Sequence, residues 1–535
     1  MTTSVPEPTT IPELFAQATR QYGDRPALIF PDRVQSYREI EAASLLMARR
    51  LHGLGIGPGD QVGILMANCH EFIELLLAAT LLGATAVPLN ARYKSRELAY
   101  VIDDADLKVL ITSDLIADHA DFVGLLRGAF TDLDDQDKNL SLNLAKTLQH
   151  IVLLGEQRHP AMLTVAEFAE AGTGASEDEI RAASLKLDHG IAAIMMYTSG
   201  TTANPKGCPL SHGLLTQNGR NMNRSRYFLS SEDVFWAPLP MFHMSSILPF
   251  LACIDAGAAM ASMVYVDAGP ALAMMERYGV TVAFPSFPTV TNDLINHADF
   301  ASRDLSKLRR INNVAPIEML RRFQDAFPQA VQTGAYGLTE AGGVIAFNHP
   351  EETLEERLHT CGKPMPGIEV QITDPETLTP LPQGHRGEMW IRGYAVFAGY
   401  HKSPEKNAEA FHDGWFRTGD LCSLSEQGAV CYHGRIKDML KVGGENVAAI
   451  EIESHLATHP GVLIAQVVGR KDERLWEVPV AFVERAPGAD PSEEELIEHC
   501  RALASFKVPR EVHFVEEWPM SSTKIQKFKL QELLD

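Results

Sequence analysis

Apolar residues recur at helical spacing from Ile11 to Tyr22, which predicts an amphipathic helix, and the run PALIF at Pro26–Phe30 predicts a short strand. A second helical pattern from Tyr37 to Leu54 is closed by Gly55. Gln61–Asn68 (QVGILMAN) reads as a buried strand, Glu71–Leu82 as a helix and Ala84–Asn90 as another strand. This alternation predicts an α/β fold with helices covering parallel-type sheets. Asp121–Ser184 is more polar and poorer in strand signals, and reads as helices and loops over the sheet. Farther on, the strand-like strings GEMWIRG, GWFRTGD and GAVCYHG (Gly428–Gly434) alternate with turns. The pattern then starts afresh with a Gly-Gly turn, a helix Ile450–Thr458, strands at Val462–Gly469 and VPVAFVE, and a helix Glu493–Leu503. A unit of about 100 residues in this order can fold as a small α+β domain. The boundary near His433–Lys437 therefore divides the chain into a large domain, 1–434, and a small one, 435–535.

Composition narrows the chemistry. A chain of 535 residues is too long for one ordinary core, in keeping with two domains. The formal charge of -22 argues against a general nucleic-acid binder, which needs a basic face. The seven cysteines are dispersed with no C-x-x-C, so neither a disulfide framework nor a structural zinc site is expected. The N-terminal MTTSVPEPTT lacks the basic and apolar regions of a signal peptide. The longest apolar-rich stretch, Ile247–Val266, is interrupted by Pro249, Asp255 and Gly257, so no membrane span is predicted and the default location is cytoplasmic. Oligomeric state, a homodimer included, is left open.

The densest chemistry lies at Tyr197–Gly207, Y-T-S-G-T-T-A-N-P-K-G, directly after the strand-like GIAAIMMY. A small-residue loop leaving a strand exposes successive N–H groups that can cradle phosphate oxygens, with hydroxyl donors and the Lys206 charge beside them. It is not a Walker A loop, because Gly207 stands where Ser or Thr should follow the lysine. In Gly334–Glu340, G-A-Y-G-L-T-E, a tyrosine between small residues can lie against a base, and Thr339 with Glu340 offers a phosphate donor and a hard oxygen ligand. Alone, that Thr-Glu pair equally reads as a helix cap with a first-turn acid. Asp420, closing G-W-F-R-T-G-D, is suited to accept both hydroxyls of a ribose, although alone it reads rather as a solvated turn acid.

With G-R-I-K-D at Gly434–Asp438, K-V-G-G-E-N at Lys441–Asn446 and P-M-S-S-T-K-I-Q-K-F at Pro519–Phe528, these strings resemble, in order, the adenylate-forming superfamily of acyl- and aryl-CoA synthetases, peptide-synthetase adenylation domains and beetle luciferases. The resemblance covers roughly Ile11 to Leu533. It implies that Thr198, Ser199, Gly200, Thr201, Thr202 and Lys206 hold the phosphates of ATP, that Gly334, Ala335 and Tyr336 meet adenine, and that Thr339 contacts phosphate. It further implies Mg²⁺ at Glu340 and Thr202, ribose at Asp420 and Arg435, a hinge at Lys437–Asp438, and the pantetheine of coenzyme A at Lys441, Gly443 and Gly444. Lys524 is the implied catalytic lysine of adenylation, with charge suited to a carboxylate attacking phosphorus.

Two matches depart from the family. Thr523 stands where a glycine usually precedes the lysine, in a loop one residue short. Asn313 and Val314 replace glycines before Ala315 and Pro316 at the adenine element, which should alter the wall between adenine and acid. Pro238–Ser245 resembles the element lining the acid site, where His243 occupies a place that amino-acid-activating relatives give to aspartate. A buried ammonium needs a paired charge, so an α-amino acid is disfavoured. Candidate pocket residues are His243, Met244, Phe284, Val314, Ala335, Leu338 and Val344. The resemblance thus implies an acid–thiol ligase forming acyl-AMP and then acyl-CoA from an acid with an apolar aliphatic or aromatic tail. Its alternatives are a ligase loading a carrier protein, a luciferase-like enzyme and a degenerate nucleotide-binding module.

Overall fold

The computed structural model describes residues 7, 9–174, 176–198, 204–442, 445–472, 474–520 and 525–534. The helix Ile11–Tyr22 has the bounds its pattern predicts, because Thr10 and Glu13 form a reciprocal capping box and Pro12 occupies the first turn. The next helix, Tyr37–Gly53, is capped by Ser36 and Glu39 in the same way. Gly55 then turns the chain with φ +81, a conformation that favours glycine.

Two seven-stranded sheets form the large domain. One runs, in spatial order, Met162–Leu163, His150–Leu154, Leu107–Ser113, Gln61–Leu65, Thr85–Pro88, Ala192–Thr198 and Lys206–Ser211. The other runs Val331–Thr333, Arg310–Asn313, Val282–Ser286, Val234–Trp236, Ala259–Ala261, Pro26–Ile29 and Val34–Ser36. Each is parallel except for an antiparallel pair at one edge. His70–Leu81 is apolar nearly all round and belongs to the same buried cluster as Tyr37–Gly53, His212–Met222 and Met244–Ala256. The segment 121–184 departs from its reading as helices and loops. His150–Leu154 and Met162–Leu163 join the sheet edge in parallel, the first inserting the buried Ile151 and Val152 into the core. The predicted strand Gln61–Asn68 ends at Leu65, and Asn68 instead bridges the two sheets: its side-chain amide donates to the Leu239 and Met263 carbonyls and accepts from the Met241 N–H.

Two antiparallel sheets come next, the larger carrying Gly387–Gly393, Trp415–Leu424 and Val430–Arg435. The small domain has its own sheet, in which Met439–Val442, Glu445–Ala448, Val462–Asp472, Trp476–Arg485 and Glu511–Phe514 share a separate core around Val447, Ile452, Ala481 and Leu496. No helix among the described residues is long and apolar enough to cross a membrane.

One buried histidine ties the N-terminal helix down. His212 is fully buried, and its Nδ1 accepts the Ile11 N–H at 3.2 Å, satisfying a donor that the helix start leaves over. Burial pushes its pKa down to about 4, against a weaker upward pull from Glu13. The unfolded value is about 6.5. His212 therefore contributes stability that is fully present above pH ~6.5 and lost as pH falls toward about 4, a loss on the order of 3 kcal/mol. Urea unfolding across that window should show His212→Asn, which keeps an acceptor but does not titrate, with a flatter pH dependence than wild type; identical slopes would refute the assignment.

Candidate functional site

The apolar strand Ala192–Thr198 pairs antiparallel with Lys206–Ser211, with Thr198 opposite Lys206. The phosphate-loop string joins these two strands in sequence; Ser199, Gly200, Thr201 and Thr202 lie outside the described residues. Lys206 Nζ sits 4.1 Å from the centre of the Tyr400 ring. Burial holds its pKa below the ordinary lysine range, opposed by the Glu340 charge.

Glu340 sits on the short 3₁₀ turn Thr339–Ala341, which ends at Gly342 and Gly343 with φ +63 and +110. Asn218 clamps this turn by donating to the Ala341 and Gly342 carbonyls at 2.9 and 3.1 Å. A Cβ on Gly337 would lie 1.7 Å from the Gly343 carbonyl oxygen, so the string Y-G-L-T-E folds back on itself more closely than any side chain permits. Gly337→Ala should cost about 1–3 kcal/mol of stability and weaken Mg-ATP binding by displacing Glu340. A urea midpoint and an ATP titration check this; wild-type values for both would show the turn to be more forgiving.

Glu340 Oε1 accepts the Tyr400 hydroxyl at 2.9 Å, and its carbonyl accepts the Phe397 N–H. Glu340 is thus held by a segment that no motif marked. Among the described residues no cluster of three or more metal-ligating side chains occurs. One half-buried carboxylate near a lysine would suit a magnesium ion arriving with a nucleoside triphosphate, whose phosphates and waters would supply the other ligands.

Asp420 follows Gly419, whose φ is +70, and pairs in the sheet with Arg435. Its Oδ2 accepts the Tyr336 hydroxyl at 2.5 Å and its Oδ1 faces Arg435 Nε at 3.1 Å. Tyr336 is buried with its ring centre 5.8 Å from that of Tyr432. Burial and the Asp420 charge keep its phenol protonated far above the usual range. Tyr336, Asp420 and Arg435 therefore form one linked set, which three separate strings only hinted at.

Met244, Phe284, Ala335, Tyr336 and Val344 belong to one buried cluster, with Leu338 packed against it. His243 caps the helix Met244–Ala256 and lies 4.8 Å, ring centre to ring centre, from Phe242. Val314 stands apart, 54% exposed and outside that cluster. The Asn313 side chain is fully buried, accepts from Thr291 and donates to Gln332. Asn312 likewise bonds Ser286 and the Thr333 carbonyl. Both amides cross-link strand ends beneath the site. Ala315 is half-buried, and Pro316 caps the helix Ile317–Ala326.

In the small domain, Lys441 donates its N–H to Glu477 on a strand paired so that Val442 faces Glu445. Gly443 and Gly444, which connect these strands, lie outside the described residues. Lys437 and Asp438 fall on a 3₁₀ turn, Ile436–Asp438, between the two domains' sheets, and burial lowers the Lys437 pKa. Lys524 lies outside the described residues. An isolated bridge, Met520 to Ile525, flanks it, and Lys527 pairs with Glu453 at 2.5 Å. A cavity of about 160 Å³ opens where Tyr432, Arg435 and Asp438 meet Ala448, Glu453 and Lys527. Tyr400, Tyr432 and Glu453 were not expected here. They lie outside the strings that carry chemistry, and only long-range packing brings them in.

The model of the AMP-binding enzyme family matches residues 14–401, and that of the AMP-binding enzyme C-terminal domain matches residues 451–524. YngI of Bacillus subtilis (strain 168), which carries an acyl-CoA synthetase name, is 33% identical over 533 residues, covering 98% of this chain and 96% of the relative. The crystal structure of the anthranilate CoA ligase AuaEII in complex with anthranoyl-AMP superposes with a TM-score of 0.84 at 26% identity, over 99% of this chain and 98% of that one. ATP-bound MatB from Rhodopseudomonas palustris superposes with a TM-score of 0.83 at 29% identity, over 97% and 98%.

Proposed function

Because this chain belongs to the AMP-binding enzyme family and is an acyl-CoA synthetase-type ligase within it, we propose that it adenylates a carboxylic acid with an apolar tail and passes the acyl group to coenzyme A. The observation that carries this reading is the convergence of Lys206 and Glu340, held by Tyr400, with the linked set Tyr336–Asp420–Arg435. A cation for phosphate, a hard oxygen ligand and a fixed carboxylate for ribose are the groups a nucleoside triphosphate requires.

In the first step a carboxylate oxygen of the acid attacks the α-phosphorus of ATP, the bond to the β-phosphate oxygen breaks, and pyrophosphate leaves. Lys206 and the hairpin tip bind the departing phosphates, and Lys524 bridges carboxylate and α-phosphate. Glu340 would hold a Mg²⁺ ion, which would supply positive charge against the phosphates. Asp420 orients the ribose, itself oriented by Tyr336 and Arg435. The small domain then turns about Lys437–Asp438 and exchanges Lys524 for the Gly443–Gly444 connection. The thiolate of coenzyme A attacks the acyl carbon, AMP departs and a thioester remains. Enclosure of the acyl adenylate keeps water from it.

The candidate pocket residues Met244, Phe284, Ala335 and Val344 are all apolar and buried, a lining that suits an aliphatic or aromatic tail better than a dicarboxylate. Pyrophosphate release with ATP, Mg²⁺ and a panel of short, medium, long and aryl acids tests this reading. Release that needs an acid and turns over only with coenzyme A is expected. Turnover without it would redirect the second step to another acceptor such as a carrier protein, and release with dicarboxylates alone would overturn the pocket reading.

A further inference from the structure

Tyr400 touches both charged groups of the nucleotide site. Its hydroxyl donates to Glu340 Oε1 at 2.9 Å, and its ring face receives Lys206 Nζ at 4.1 Å. The lysine therefore lies against the π face and the carboxylate at the rim of the same residue. A cation over a ring is held by the ring's quadrupole, whereas a phenol donates along its O–H bond. The two interactions use different parts of the tyrosine and do not compete.

The ring is anchored independently of the groups it touches. The Tyr400 N–H donates to Asn407 Oδ1 at 2.7 Å, and Asn407 Nδ2 donates back to the Tyr400 carbonyl at 3.0 Å. Phe397 packs edge-on with ring centres 4.9 Å apart. On either side, the Phe397 N–H bonds the Glu340 carbonyl and the His401 N–H bonds the Gly207 carbonyl. Residues 397–401 thus stitch the strand carrying Lys206 to the turn carrying Glu340. A Cβ on Gly399, whose φ is +130, would lie 3.0 Å from the Asn407 side chain, so the chain passes that amide closely.

Oppositely charged side chains this close would otherwise tend to pair with one another. A direct Lys206–Glu340 ion pair would occupy the charges a triphosphate and its cation need. We propose that Tyr400 is a positioning residue that keeps Lys206 and Glu340 apart and pre-set, the lysine for phosphate oxygens and the carboxylate for the divalent cation that accompanies them. This rests on the proposed ATP-binding function. The residue acts through its two neighbours and need not touch the reacting atoms.

Calorimetric titration of the full chain with ATP, with and without Mg²⁺, and with AMP separates the contributions. Tyr400→Phe keeps the ring and removes the hydroxyl. The Mg²⁺-dependent gain in ATP affinity should fall by about tenfold, the worth of a hydrogen bond to a charged group. Metal-free ATP and AMP binding, and thioester formation from supplied acyl-AMP, should stay at wild-type values. Tyr400→Leu removes the ring as well and should weaken metal-free ATP binding by a further ~threefold, as Lys206 loses its platform. Equal losses for AMP, ATP and Mg-ATP would mark Tyr400 as merely structural and overturn the proposal, as would an unchanged Mg²⁺ gain in Tyr400→Phe. Wild-type protein that binds neither ATP nor Mg-ATP would instead sink the functional reading itself, before any variant is made.

Discussion

Lys524→Ala is expected to lower acid-dependent pyrophosphate release by about 10²–10³-fold, the usual cost of losing a preorganised charge at an attacking oxygen. Thioester formation from supplied acyl-AMP and coenzyme A should be untouched, because the proposed mechanism takes the lysine out of the site before that step. The split is the informative part. A general disturbance of the small domain would slow both half-reactions, whereas loss of one cation slows only the step in which negative charge gathers on carboxylate and α-phosphate. The bridge between Met520 and Ile525 brackets the loop. Lys527, at the start of the helix Lys527–Glu532, pairs with Glu453, which also accepts the Val467 N–H. Thr523, standing where a glycine is usual, should make Thr523→Gly neutral or faster in adenylation; a strongly slower variant would show that this chain has built its loop around the threonine. Equal loss of both half-reactions in Lys524→Ala would remove the lysine from the mechanism.

Asp420→Ala carries the second large effect and acts on both binding and folding. The Asp420 side chain is 5% exposed, and both its oxygens are engaged, one by the Tyr336 hydroxyl and one by Arg435. Removing it leaves a buried phenol without its acceptor and a partly exposed guanidinium without its counter-charge. The cost is about 1–3 kcal/mol, and the solvent still reaching Arg435 keeps the charge part of it modest. ATP and AMP affinity should fall by about a hundredfold, from lost ribose contacts and from the freed Tyr336 and Arg435 together. Asp420→Asn keeps an oxygen for the phenol but not the charge, so it should recover most of the stability and only part of the affinity. Nucleotide titration beside a urea midpoint checks both. Wild-type AMP affinity in Asp420→Ala would remove the aspartate from the ribose site while leaving its structural role intact.

Much of the architecture could be read along the chain. The bounds of Ile11–Tyr22 follow from a capping box and a helical period, and those of Gly387–Gly393 from an uninterrupted strand-like string between turns. Such signals are local: caps, turns and periodicity act over a few residues, where one dimension suffices. The family strings marked Lys206, Glu340, Asp420 and Arg435, and the renewed pattern after Gly434 marked out the separate sheet and core of the small domain. The short edge strands within 121–184 escaped because two to five residues carry too little period to outweigh a polar neighbourhood.

Contacts across the chain were decided by the tertiary structure alone. Tyr400 lies 60 positions beyond Glu340, and Tyr336 precedes Asp420 by 84, so no spacing rule joins them. Asn313 drew notice through neighbours that match an adenine element, but its partners Thr291 and Gln332, which bond its buried amide, are set by the packing of other segments. Side-chain direction on a strand flips with each residue, and its partners depend on which strand lies alongside. The sequence by itself determined which chemistry the chain carries and in what order. The tertiary structure decided how those groups are aimed, because aim depends on register and packing between segments far apart in sequence.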